Sequence, residues 1–124
     1  MGMHPQLGGL TEKHKKRLLF IKEIGCVACH IRFGQASSGG VGHHAEDDND
    51  VVLGHDCMIC FCDWHHVAKR EQGRTTIQML DQYGPSRHFH TVAFREEFGT
   101  DLQLLEKQNA LLDAYLSTFV IRPL

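Results

Sequence analysis

The sequence predicts an α+β fold, mostly helical by residue count and closed around a small metal-stapled core. Three observations carry that prediction. Helix caps and helical apolar spacing recur along the 124 residues. Two runs, Val51 to Leu53 and Met58 to Phe61, are short and apolar enough to be strands. The stretch Cys57 to His66, CMICFCDWHH, follows the second run at once with C-x2-H-H. A strand that ends in a metal ligand and turns directly into a helix carrying two more points those ligands inward.

The totals narrow the class. A chain of 124 residues with 42% apolar residues suits one domain, expected over 11–124 after a loose glycine-rich arm at 1–10. No apolar run approaches the roughly 20 residues of a membrane helix, and the N-terminus lacks a basic-then-apolar leader, so a cytoplasmic protein is expected. Five cysteines among ten histidines suit metal thiolates in a reducing compartment better than disulfides. The net charge of −2 gives no global pull toward nucleic acid, so any binding to phosphates has to come from local patches.

In chain order, Thr11 caps a helix reaching Ile24, with Leu18, Ile21 and Ile24 inward and Gly25 as its stop. Its outer face carries Lys13, Lys15, Lys16, Arg17 and Lys22, a solvated face unless the protein works on nucleic acid. Cys26-Val27-Ala28-Cys29 is read as a tight turn that places two thiolates for one tetrahedral ion. A redox C-x2-C would be expected to open a helix within a βαβ pattern, whereas a Ser/Gly-rich loop follows at Gln35 to Gly42. Glu46 to Asp50 is an acidic run without the spacing of a calcium loop, and it reads as a solvated loop. A helix entered at Asp63 runs to about Gln72. Thr75-x-x-Gln78 is a capping box for a helix ending at Tyr83-Gly84, and Arg87 to His90 connects onward. Phe94 and Phe98 form a helical pair closed by Gly99, and Thr100-x-x-Gln103 opens the last helix. There Leu102, Leu105, Leu112 and Leu116 share one face, as a packing stripe or a dimer seam.

The ligands sort into two sets. Cys26, Cys29, Cys62 and His65 make a Cys3His set suited to a structural Zn2+ that substitutes for core in a small domain. Cys57 and Cys60 compete for that role, and the preferred reading leaves them as small residues in or beside a buried strand. His66 lies about 100° around the helix from His65 and points elsewhere, where it could form a second, open site with His43. If the pair His43-His44 ends a strand, its side chains face opposite ways, which allows one ligand and one base.

The order C-x2-C, His-His, apolar strand, C-x2-H-H and a later His ahead of F-x3-F-G-T resembles the HNH (ββα-metal) endonucleases, most closely the phage Ref-like, RecA-dependent branch. The resemblance runs from about Leu18 to Leu112, and is best at CDWHH (Cys62 to His66) and FREEFGTDLQLL (Phe94 to Leu105). It implies a ββα-metal core ringed by helices, and a DNA endonuclease of phage or prophage recombination with a RecA filament as partner. His43, His66 and His88 would bind a catalytic divalent metal, Mg2+ or Zn2+, with His88 preferred to His90 by its spacing from Phe94. His44 would be the general base. The Asn that orients the base in HNH motifs has no clear counterpart, and His55 stands nearest to that place. Lys15, Lys16, Arg17, Lys69, Arg70 and Arg74 would contact DNA. Two features depart from the family pattern: acidic residues follow the His pair where basic ones are usual, and Cys60 stands where Pro is common. A second class of reading is a zinc-stabilised nucleic-acid-binding module without catalysis.

Overall fold

The computed structural model describes residues 8–120. Of the expected arm at 1–10, residues 1–7 lie outside the described residues, as do 121–124. The elements in order are α1 (Glu12–Ile24), α2 (Val27–Phe33), β1 (Val41–His44), a 3-10 turn (His55–Cys57), β2 (Met58–Phe61), α3 (Asp63–Val67), α4 (Thr76–Tyr83), α5 (Thr91–Phe98) and α6 (Asp101–Val120). The architecture is α+β and mostly helical, with one two-stranded antiparallel sheet. In its register Val41 pairs with Phe61, His43 with Ile59 and His44 with Met58.

β2 is buried along its whole length, and its two faces serve two clusters. Ile59 and Phe61 join Cys26, Val27, Ala28, Ala45, Phe94, Phe98 and Leu104, while Met58 and Cys60 meet Ile21, with Leu18 and Leu112 packed alongside. Each large apolar side chain fully buried there contributes about 1.5–3 kcal/mol, so the strand anchors both sides of the molecule. Its outer edge ends on a side chain. The Gln108 carboxamide accepts from the Cys60 N–H (2.7 Å) and donates to the Met58 carbonyl (2.8 Å), satisfying two buried backbone groups.

Several local signals hold. Thr11 caps α1, although His14 supplies the return bond where an acid is usual. The capping boxes Thr75/Gln78 and Thr100/Gln103 both form. Gly25 ends α1 at φ 89°, where a Cβ would lie 2.2 Å from the Ser37 carbonyl oxygen.

Other expectations are corrected. The strand expected at 51–53 is reduced to one isolated bridge between Val52 and Glu46, and the partner of β2 is β1. Cys26-Val27-Ala28-Cys29 is not a bare turn: Cys26 caps α2 and Cys29 sits in its first turn. The helix expected to reach Gln72 stops at Val67, where Ala68 turns left-handed at φ 57° and donates back to the Asp63 and Trp64 carbonyls. On α6 the buried face centres on Leu104 and Gln108, flanked by Leu105 and Leu112, while Leu102 is exposed. Among the described residues no helix is long and apolar enough to cross a membrane.

Candidate functional site

The turn from β2 into α3 and the start of α2 bring Cys26, Cys29, Cys62 and His65 together. His65 Nδ1 lies 3.4, 3.5 and 3.3 Å from the sulfurs of Cys26, Cys29 and Cys62, and the Cys29 and Cys62 sulfurs are 4.0 Å apart. Tetrahedral zinc with ordinary bond lengths sets N···S edges of about 3.6 Å and S···S edges of about 3.8 Å, so the cluster has room for such an ion. The tautomer fits as well. His65 Nε2 donates to the Tyr83 carbonyl at 2.7 Å, and a carbonyl can only accept, which leaves Nδ1 bare toward the thiols. Hydrogen bonds from Cys26 and Cys29 hold the Cys62 thiol far below its usual range, whereas burial pushes Cys26 well up. Three thiols gathered so closely cannot all ionise without a cation among them.

The remaining sulfurs lie outside this cluster. Cys60 donates to the Gly39 carbonyl at 3.2 Å inside the core, and Cys57 packs half-buried against the main apolar cluster. His30 donates to the Ile24 carbonyl at 2.7 Å. That C-x2-C opens a helix removes helix-opening as the mark of a redox pair here; the gathered four-donor set points to a metal such as zinc.

The second group forms where β1 ends. Strand alternation sends His43 and His44 to opposite faces. The His43 ring lies 5.4 Å from that of His66 and 5.6 Å from Phe61, while His44 Nε2 meets His55 Nδ1 at 2.9 Å. His55 Nε2 in turn lies 3.0 Å from the Gly8 carbonyl oxygen. Burial, then the imidazoles of His55 and His43, hold His44 below the ordinary imidazole range. Burial, then His43 and His88, do the same to His66. His88 is exposed on a connector whose backbone runs beside α3, its N–H donating to the His66 carbonyl at 3.2 Å. His90 is turned away, its Nδ1 accepting from the Ser86 N–H at 3.0 Å. The ligand atoms gathered within 4.8 Å around His43 are those of Glu46 and Asp101.

Sequence reasoning missed Asp101, left Arg87 in a connector and read Glu46 as part of a solvated loop. Asp101 is buried at the first position of α6, bound by Arg87 and by the Glu46 N–H, 3.5 Å from His43 Nε2. Burial alone would raise its pKa, but His43 and Arg87 hold it far below the usual carboxylate range. Glu46, read as part of a solvated run, is half-buried and ion-paired with Arg87 at 3.4 Å; Asp47 is partly buried too, and Asp48 to Asp50 are exposed. The available signal was FGTD itself, where the capping box drew attention to Thr100 and not to the acid beside it.

The basic residues divide by placement. Lys15, Lys16, Lys69 and Arg70 are exposed. Arg17 is half-buried and donates to Asn109 at 2.8 Å, and Arg74 is engaged by Glu71 at 2.9 Å.

A family model described as recombination enhancement, RecA-dependent nuclease matches residues 10–113, which takes in both ligand clusters and the start of α6. No curated protein and no solved structure gives a significant match. With that match covering most of its length, the chain belongs to the recombination enhancement, RecA-dependent nuclease family.

Proposed function

We propose that the protein is a metal-dependent DNA endonuclease of the HNH type that hydrolyses phosphodiester bonds, with His44 as general base and a RecA filament as partner. The observation that carries this reading is the hydrogen-bond chain behind His44. The Gly8 carbonyl can only accept, so His55 Nε2 carries a proton, and a neutral His55 then offers a bare Nδ1. His44 Nε2 must donate to it, which leaves the base lone pair on His44 Nδ1. His55 thereby does what the missing Asn would do, fixing the tautomer and orientation of the base. Because its pKa is lowered, His44 is neutral at pH 7 and ready to take a proton from water.

His43 and His66 are the residues that would hold the catalytic cation, with His88, whose charge is felt by His66, as the further imidazole the resemblance implies. The 5.4 Å between the His43 and His66 rings supports this, since two imidazoles that close can share one ion. A bound divalent ion, Mg2+ or Zn2+, would supply charge stabilisation at the leaving oxygen. The Cys3His cluster is proposed as a structural Zn2+ site.

The test is cleavage of single- and double-stranded DNA, with and without a RecA filament, with metal content measured on the same samples. His44→Ala is expected to lose cleavage on the order of a hundredfold to ten-thousandfold while keeping its metal and its DNA affinity. His43→Ala and His66→Ala should lose metal as well as activity. Normal cleavage by His44→Ala, or metal loss equal to that of His43→Ala, defeats the base assignment. A wild-type protein that binds DNA yet cuts under none of these conditions is instead a zinc-stabilised binding module.

A further inference from the structure

The carboxylate of Asp101 is only 3% exposed, and its position is set by three donors. Arg87 reaches it with Nε at 2.9 Å and Nη2 at 3.0 Å, and the Glu46 backbone N–H adds a third bond at 2.9 Å. A group held this way is a fixed negative charge in a place water hardly reaches. His43 Nε2 lies 3.5 Å from its Oδ2, buried and with no hydrogen-bond partner. At that separation the two stop short of a formed bond, and a ring shift of a few tenths of an ångström completes one.

His43, Glu46 and Asp101 bring their ligand atoms within 4.8 Å of one another, which invites their reading as a cation cage. The guanidinium of Arg87 argues against it, since it already pairs with both carboxylates. A metal ion there would have to displace a buried, bidentate arginine or sit beside its charge. The carboxylates therefore act on the imidazole. A bare nitrogen lone pair facing them is repelled, whereas an N–H is attracted. We propose that Asp101, fixed by Arg87, is a positioning residue that holds His43 as its Nε2–H tautomer and leaves Nδ1 as the nitrogen free to bind a cation. Its use in catalysis rests on the reading of His43 as a ligand. A carboxylate behind a ligating histidine fixes the ring and strengthens its donor nitrogen.

Nitrogen-15 NMR of the zinc-loaded full chain at pH 8, before any further metal is added, reads the tautomer directly. The expected wild-type result is a protonated Nε2 and a bare Nδ1, with a slowly exchanging Nε2 proton showing an Overhauser effect to the Asp101 β protons. Asp101→Asn should lose that preference. It should also bind Ni2+, titrated as the probe, about 10- to 100-fold more weakly than wild type. An Nδ1–H wild-type tautomer, or an unchanged tautomer in folded Asp101→Asn, overturns the proposal. The wild-type Overhauser effect settles the link to Asp101 even if the variant fails to fold. If the spectra come out as expected and His43→Ala binds Ni2+ normally, the ligand reading of His43 fails while the tautomer assignment stands.

Discussion

A histidine's chemistry depends on which nitrogen carries the proton, and backbone carbonyls decide that in both ligand clusters. Tyr83 decides it for His65, and Gly8, acting through His55, decides it for His44. The lowered pKa values of His44 and His66 add a pH dependence whose sign is fixed. Cleavage by a His44 base should rise with pH through a value below the ordinary imidazole pKa of about 6.5 and then level off. Stability should follow the same direction. Below about pH 6.5 the unfolded chain binds protons that these folded imidazoles refuse, so stability is full above that value and is lost as pH falls through the folded pKa values. Calorimetric melting from pH 5 to 8 checks this, and a melting temperature that climbs on acidification would contradict it. The His-His pair and its opposed faces were legible because strand alternation is local. Asp101 was not, since its role comes from Arg87 and from His43, which are distant in sequence, and the cap signature already accounted for its segment.

At the scale of elements, the signals that worked are those whose partners lie three or four residues apart: the capping boxes, the Phe94/Phe98 pair, and the glycines closing α1, α4 and α5. The failures have a shared cause. β1 contains Gly42 and two histidines, a poor strand by composition, yet it pairs with β2. A Cβ at Gly42 would lie 2.7 Å from the end of the Leu18 side chain, so α1 packs directly onto this strand. α3 ends early although 68–72 lacks a helix breaker, and Ala68 there accepts a left-handed backbone that costs about 1–2 kcal/mol. The Cys3His cluster gives these short elements a reason to persist, joining α2, the β2–α3 turn and, through the Tyr83 carbonyl, the end of α4. Cys62→Ser is accordingly expected to lose metal and cooperative unfolding together, because binding free energy at such a site is folding free energy. Metal analysis beside a thermal melt checks it, and a wild-type melt from a metal-free variant would remove the site from the folding account.

For the whole molecule, the fold class was legible and the assembly of the second site was not. Caps and periodicity mark helices, but nothing local says that α6 will deliver an acid to the end of β1. The same limit governs the basic residues, whose spacing on a helix does not reveal which of them stay free. Neutralising Lys16, Lys69 and Arg70, all exposed, is expected to flatten the salt dependence of binding to duplex DNA, by roughly 0.9 in log–log slope for each phosphate that the protein no longer neutralises. Arg17→Gln, which cuts the bond to Asn109, should lower the melting temperature and leave the slope alone. Anisotropy titrations at several salt concentrations separate the two, and an unchanged slope for the triple variant would return those residues to solvated surface. The carboxamide of Gln108 bears on a different hazard. A two-stranded sheet has a free edge on each side, and an edge with unpaired amides is a template on which another chain can add a strand. On β2 one side chain occupies that template, imitating a single residue of a third strand. Undocking α6 would therefore bare the Cys60 N–H and the Met58 carbonyl for pairing with a strand of another chain.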